Sequence, residues 1–166
     1  MDEAEKKKAN WGKAAKLSLG VFGGLSLLMG YVSAAGMKKS EQESEARKAI
    51  DDFFAALNAH DIESASKMLH YPHIQIIGTD VTIWDDAASF QFSYDSLVAQ
   101  GWTQSTLDSC AMRQNSKQKV HFETQVSLHK IDPSQNEICQ VLWIMTRKNG
   151  QWGIQCQSMF NRGIMP

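Results

Sequence analysis

Arg147-Lys148-Asn149-Gly150-Gln151-Trp152-Gly153-Ile154 sets an Asn-Gly pair between two runs of alternating character. Asn and Gly both tolerate positive φ, so the pair signals a two-residue β-hairpin, and a loop of that length fixes the register of its strands. Lys148 should then face Gln151, Arg147 should face Trp152, and Trp143 should face Cys156. One sheet face carries Val141, Trp143, Met145, Trp152, Ile154 and Cys156 and reads as the core face. The other carries Gln140, Leu142, Ile144, Gly153, Gln155 and Gln157. That mixture of apolar and amide groups suits pairing with another subunit. The same register sets Cys139 opposite Phe160, too far from Cys156 for a disulfide.

Working outward, Lys119–Lys130 shows the same division. Val120, Phe122, Thr124, Val126 and Leu128 should face the core, and His121, Glu123, Gln125, Ser127 and His129 should face away. Thr106–Asn115, Glu137–Lys148 and Gln151–Asn161 complete a set of long strands. Ahead of the sheet, Ser40–Ala59 has Ala46, Ala49, Ile50, Phe53, Phe54 and Leu57 at three- and four-residue steps, the mark of an amphipathic helix. Ser40 with Glu43 fits a capping box. His60 ends that helix, and Asp61 caps a second one from Ile62 to about Leu69. Two short strands, His73–Ile77 and Val81–Trp84, flank a turn at Gly78-Thr79-Asp80. A third helix is expected over Ala87–Ala99, capped by Asp85 or Asp86 and stopped at Gly101.

Three segments follow: residues 1–37 as a basic start and hydrophobic stretch, 38–161 as one domain, and 162–166 as a tail. Leu17–Met37 carries no charge and is long enough to span a bilayer as a helix. Lys6, Lys7, Lys8, Lys13 and Lys16 before it favour keeping that end in the cytoplasm. Three readings stay open. The stretch is an uncleaved membrane anchor, a signal peptide cut near Ala34 or Ala35, or untranslated leader to a cytoplasmic protein starting at Met37. Lys38 and Lys39 weigh against both export readings. Gly20-x-x-x-Gly24 is a close-packing motif for paired membrane helices.

The formal charge of the 166-residue chain is −1, and its basic residues form no stripe, so nucleic-acid binding is not expected. Cys110, Cys139 and Cys156 form no C-x-x-C pair, and no metal-ligand spacing, phosphate loop or nucleophile elbow is present. No metal or cofactor is expected.

Helix, short helix, small hairpin, helix, then a long antiparallel sheet is an order that resembles the nuclear transport factor 2-like superfamily. Phe53-Phe54-Ala55-Ala56-Leu57-Asn58-Ala59-His60-Asp61 is similar to the opening helix of its SnoaL-like members, and the Gly-x-Trp turn at Gly150-Gln151-Trp152 to their last hairpin. The resemblance spans about residues 40–160. It implies an α+β, cone-shaped, cystatin-like fold, with three helices packed on a curved, mainly antiparallel sheet after a hydrophobic N-terminal helix. It implies a site at the mouth and interior of the cone. It does not choose among isomerases, dehydratases, cyclases, carriers and adaptors.

Of these, the ketosteroid isomerase pattern implies an Asp base with a Tyr and a protonated carboxylic acid as oxyanion donors. By strand alternation only Asp108, in step with Cys110 and Met112, points inward, so no catalytic set is assigned. His70 and His73 flank Tyr71-Pro72 and are either general-base candidates or polar corner residues. Pocket candidates are Phe54, Tyr71, His73, Trp84, Tyr94, Trp102, Asp108, Trp143 and Cys156, because pockets are mainly apolar and aromatic with few polar groups. Cys110 and Cys156 read as small hydrophobes. The favoured function is a small-molecule-binding or dimerising domain without a catalytic set. It would hold a small apolar ligand or form a homodimer through the outer sheet face, and membrane tethering through residues 17–37 is part of that expectation. The alternatives are a SnoaL-like or isomerase-like enzyme moving protons in the cone, and an envelope protein–protein assembly module.

Overall fold

The computed structural model describes residues 21–160, with side chains from Ser40 onward. Two compact units divide at Glu41/Gln42. In the first, residues 21–41 are helical. The expectations for Leu17–Met37, the cleavage site, Gly20-x-x-x-Gly24 and the tail fall on residues or side chains outside the description. Among the described residues no helix is long and apolar enough to cross a membrane.

Helix α1 (Val21–Asn58) runs through the position where a capping box was expected, so Ser40 lies inside a helix rather than at its start. No proline interrupts residues 21–58, and its four glycines at 23, 24, 30 and 36 each cost a helix only about 1 kcal/mol. From Gln42 on, α1 belongs to the second unit, and all six residues of the expected stripe (Ala46, Ala49, Ile50, Phe53, Phe54 and Leu57) are buried. Phe53 and Phe54 meet the Trp143 ring edge to face at 6.0 and 5.9 Å. The helix stops at His60, whose φ of 58° breaks the repeat, while the Asp61 amide donates back to the Ala56 carbonyl at 3.0 Å. Asp61 then accepts from the Ser64 amide at 2.9 Å and caps α2 (Ile62–Lys67).

The six-stranded sheet has the order β2-β1-β6-β5-β4-β3. Its strands are β1 (Leu69–Ile77), β2 (Asp80–Trp84), β3 (Trp102–Ser116), β4 (Lys119–Lys130), β5 (Glu137–Lys148) and β6 (Gln151–Met159). Only β1 and β6 pair in parallel; the other neighbours are antiparallel. The core lies between α1 and the inner face, where Val120, Phe122, Val126, Leu128, Val141, Trp143, Met145 and Ile154 are almost wholly buried.

The hairpin register holds at its loop, with Lys148 opposite Gln151 and Arg147 opposite Trp152. It fails farther along. Met145 pairs with Ile154 but Ile144 pairs with Cys156, so Gln155 is an extra residue, a β-bulge. The bulge reverses the alternation beyond it. Trp143 faces Gln157, not Cys156, and Cys156 moves to the outer face. Gln155 is anchored there: its amide donates to the His70 carbonyl at 3.2 Å and, more closely, to the Pro72 carbonyl. Beside it, Gly153 lies under the His70 ring, where an added Cβ would come within 2.5 Å of the imidazole.

The expected helix over Ala87–Ala99 shortens to α3 (Tyr94–Ala99), capped by Ser93 rather than Asp85 or Asp86. Asp86 caps only a turn, accepting from the Ser89 amide at 2.8 Å while the Ser89 hydroxyl donates to the Asp86 carbonyl. Phe90, Phe92 and Tyr94 then alternate inward along an extended strap.

Candidate functional site: the cone interior and the outer sheet face

At the β1–β6 end of the cone, between α1 and the strap, lies an enclosed cavity of about 10 Å³. His73, Gln75 and Gln157 line it from the sheet, Phe53 from α1, and Phe90 and Phe92 from the strap, with Leu69 at its floor. Such a volume has room for about one water molecule.

His73 is 1 % exposed. Its Nδ1 lies 3.1 Å from the Ile154 carbonyl. A carbonyl only accepts, so Nδ1 carries the proton and Nε2 keeps its lone pair. Burial pulls the imidazole pKa down to about 4, against a smaller opposing effect of that bond. The ring stacks on Trp84 at 5.7 Å. Gln75 and Gln157 are 3 % and 4 % exposed, and Gln75 Nε2 and Gln157 Oε1 have no hydrogen-bond partner among the described residues. The buried polar side chains described are Ser66, His73, Gln75, Ser105, Thr124 and Gln157, none of them a carboxylate.

Asp108, the inward acid expected from alternation, faces outward. Leu107 pairs with Val126 and Ser109 with Gln125, so Asp108 is itself the extra residue of a bulge. Its carboxylate accepts from Ser127 Oγ at 2.5 Å and Thr106 Oγ1 at 2.9 Å, and the Ser127 bond, first among several, lowers its pKa. Cys156, also assigned to the pocket, lies outward with Ile144, and burial raises its thiol pKa. Burial pushes Cys110 up to about 11, as suits a small hydrophobe.

The remaining candidates divide. His73 and Trp84 sit together at the cavity end. Phe54 and Trp143 are core, the indole N–H donating to Thr124 Oγ1 at 2.8 Å. Trp102 is core beside α3, donating to Ser105 Oγ at 3.0 Å. Tyr94 stacks on His60 at 4.7 Å and donates to the Leu57 carbonyl, and Tyr71 donates to the Ser66 carbonyl. His70 lies on the outer side with Nδ1 2.8 Å from Thr146 Oγ1. Sequence reasoning missed Gln75, Gln157, Phe90 and Phe92. The bulge at Gln155 hides Gln157 from any alternation rule. Phe90 and Phe92 show a two-residue period that a helix reading overrides.

The outer face has its own order. Residues directly opposite in neighbouring strands share a face. Pairing therefore builds one row from Ile83 through Ile74, Cys156 and Ile144 to His121. A second runs from Val81 through Ile76, Ser158 and Leu142 to Glu123. Val81 and Ile83 are more than half exposed, as are Ile138 and Phe160 at the end of β5 and β6. Leu142, Gln140, Ser158, Phe160 and Glu123 border a groove of about 400 Å³ on this side. Toward β3 the face turns polar, with Arg113 Nε 2.7 Å from Glu123.

Three helices on a curved six-stranded sheet closing a cone define the class of fold. Solved structures give that fold its name: it is the nuclear transport factor 2-like, cystatin-like fold. A crystal structure of an NTF2-like protein with a cystatin-like fold from Novosphingobium aromaticivorans is similar at a TM-score of 0.63 and 13 % identity, covering 78 % of this chain and 87 % of that one. An NTF2-like protein of unknown function from Pseudomonas putida matches at a TM-score of 0.59 and 12 % identity, covering 76 % and 93 %. A candidate ketosteroid isomerase from Shewanella frigidimarina matches at 0.55 and 12 %, covering 69 % and 94 %. No family model matches the sequence, and no curated protein does. Similarity at these identities establishes the fold and leaves activity to the site.

Proposed function

We propose that this chain is a non-catalytic association domain that pairs with a second copy of itself through the outer face of its sheet. The observation that carries the reading is the pair of cross-strand rows. Ile83, Ile74, Cys156 and Ile144, with Val81, Ile76 and Leu142 alongside, form an apolar band over four strands that Ser158 interrupts in the second row and in which Cys156 is itself buried. Contiguous exposed apolar surface on a sheet marks an interaction site. A second copy fits because a two-fold interface must be self-complementary. An apolar band meets itself without opposing charges, and Arg113 already neutralises Glu123 beside it. The cone interior supports the same reading. Its buried polar side chains are amides, hydroxyls and a neutral imidazole, so the proton-transfer alternative has no buried carboxylate among the described residues to act as base.

Light scattering coupled to size exclusion tests this on the residue 38–166 segment and on the full chain. A dimer at micromolar concentration that Leu142→Lys and Ile83→Lys convert to a folded monomer is the expected result. A monomer across the whole concentration range overturns the reading. In this reading residues 17–37 tether the domain to a membrane, and recovery of the native protein solely in the soluble fraction would remove that part alone.

A further inference from the structure

The cavity beside Gln75 and Gln157 lies apart from the outer face, and its chemistry is specific. Gln75 and Gln157 lie directly opposite each other in β1 and β6 and both line it, and a donor on the first and an acceptor on the second have no protein partners among the described residues. Leaving such groups buried and unsatisfied costs about 1–3 kcal/mol each, so a site that retains both is built to be met by something. The apolar part of the same space is already occupied by a flat ring. Phe90 stands edge-on to Trp84 at 5.2 Å and to His73 at 6.4 Å. It belongs to the exposed strap between β2 and α3, where Phe90 and Phe92 are the partly buried residues between Asp85 and Ser93.

We propose that the slot filled by the Phe90 ring is a binding site for a flat, neutral ring with a carbonyl next to an N–H, of the lactam or pyridone kind. The ligand ring takes the place of Phe90 against Trp84 and His73. Its carbonyl accepts from Gln75 Nε2, and its N–H donates to Gln157 Oε1. Neutrality follows from the surroundings. Among the described residues neither a carboxylate nor a cation is buried, and the His73 imidazole is held uncharged, so an ionised ligand would be buried without a counter-charge. The strap can yield because Phe90 and Phe92 are what seat it, while its own bonds, between Asp86 and Ser89, are local.

The test is titration of the full chain with 2-pyridone, followed by NMR of the Gln75 and Gln157 side-chain amides and the His73 ring. Saturable shifts at these groups are expected, with benzoate giving none. Phe90→Ala, which empties the slot, should bind about tenfold tighter, and Gln157→Leu in that background should lose about tenfold, the worth of one buried hydrogen bond. Gln157→Leu removes an unsatisfied polar atom, so it should fold; benzene binding to Phe90→Ala/Gln157→Leu reports an intact slot independently. Three outcomes overturn the proposal. One is that neither wild type nor Phe90→Ala shows a saturable shift. Another is that benzene and 2-pyridone bind Phe90→Ala equally. The last is that a crystal grown with 2-pyridone holds a single water bridging the two amides instead.

Discussion

The two faces of one sheet treat side chains in opposite ways. The inner face packs against α1, with a cavity of about 10 Å³ at its β1–β6 end, while the outer face leaves aliphatic side chains such as Val81, Ile83 and Ile138 more than half exposed. Packing of the inner kind fixes a fold, because each contact depends on its neighbours. Exposure of the outer kind adds little to the stability of an isolated chain, and the proposed self-association is what would use it. If the chain associates as proposed, stability and association draw on separate residues. Substitutions should sort by face.

The sharpest break would come at Trp143. Replacing it with Ala empties the space against Phe53 and Phe54 and should destabilise by about 3–5 kcal/mol in urea unfolding. A loss under about 1 kcal/mol would mean that the inner face is not the core described. Next comes pH. The folded His73 titrates near 4 and an unfolded histidine near 6.5. Below 6.5 the unfolded chain binds a proton that the folded chain refuses, so stability present above 6.5 is lost as pH falls toward 4. The loss should be on the order of 3 kcal/mol, and His73→Phe should flatten the slope over that window. An unchanged slope in that variant would assign it to other groups.

On the outer face, Leu142→Lys should weaken self-association by about 2 kcal/mol or more in sedimentation equilibrium. The same variant should change monomer unfolding by no more than about 0.5 kcal/mol. A large unfolding penalty from Leu142→Lys would erase the distinction between the faces. The smallest expected effect lies away from both. Asp61→Ala removes the cap of α2 and should cost about 1 kcal/mol without altering association.

Much of this architecture was legible in the residues. The stripe of α1, the cap at Asp61, the Asn149-Gly150 loop and the full length of β4 and β5 all follow local rules that the tertiary structure respects. What was illegible shares one cause. Asp108 and Gln155 are bulge residues, and alternation counts residues, whereas a bulge removes one from the count. Asp108 therefore moved out of the expected pocket, Cys156 went with it, and Gln157 entered in its place. The strap failed differently. Ala87–Ala99 satisfies a helical reading locally, but Phe90 and Phe92 instead lie at a two-residue period along an extended strap and line the cavity. The cavity end of the site was thus visible only through His73 and Trp84.

The extra residue at position 155 has a consequence for anyone altering β6. Before it, even-numbered positions look into the protein; after it, odd-numbered ones do. Gln157, which plain alternation would put outside, therefore has no room for a charge, and deleting Gln155 alone would restore plain alternation with Cys156 still outward and Gln157 still inward.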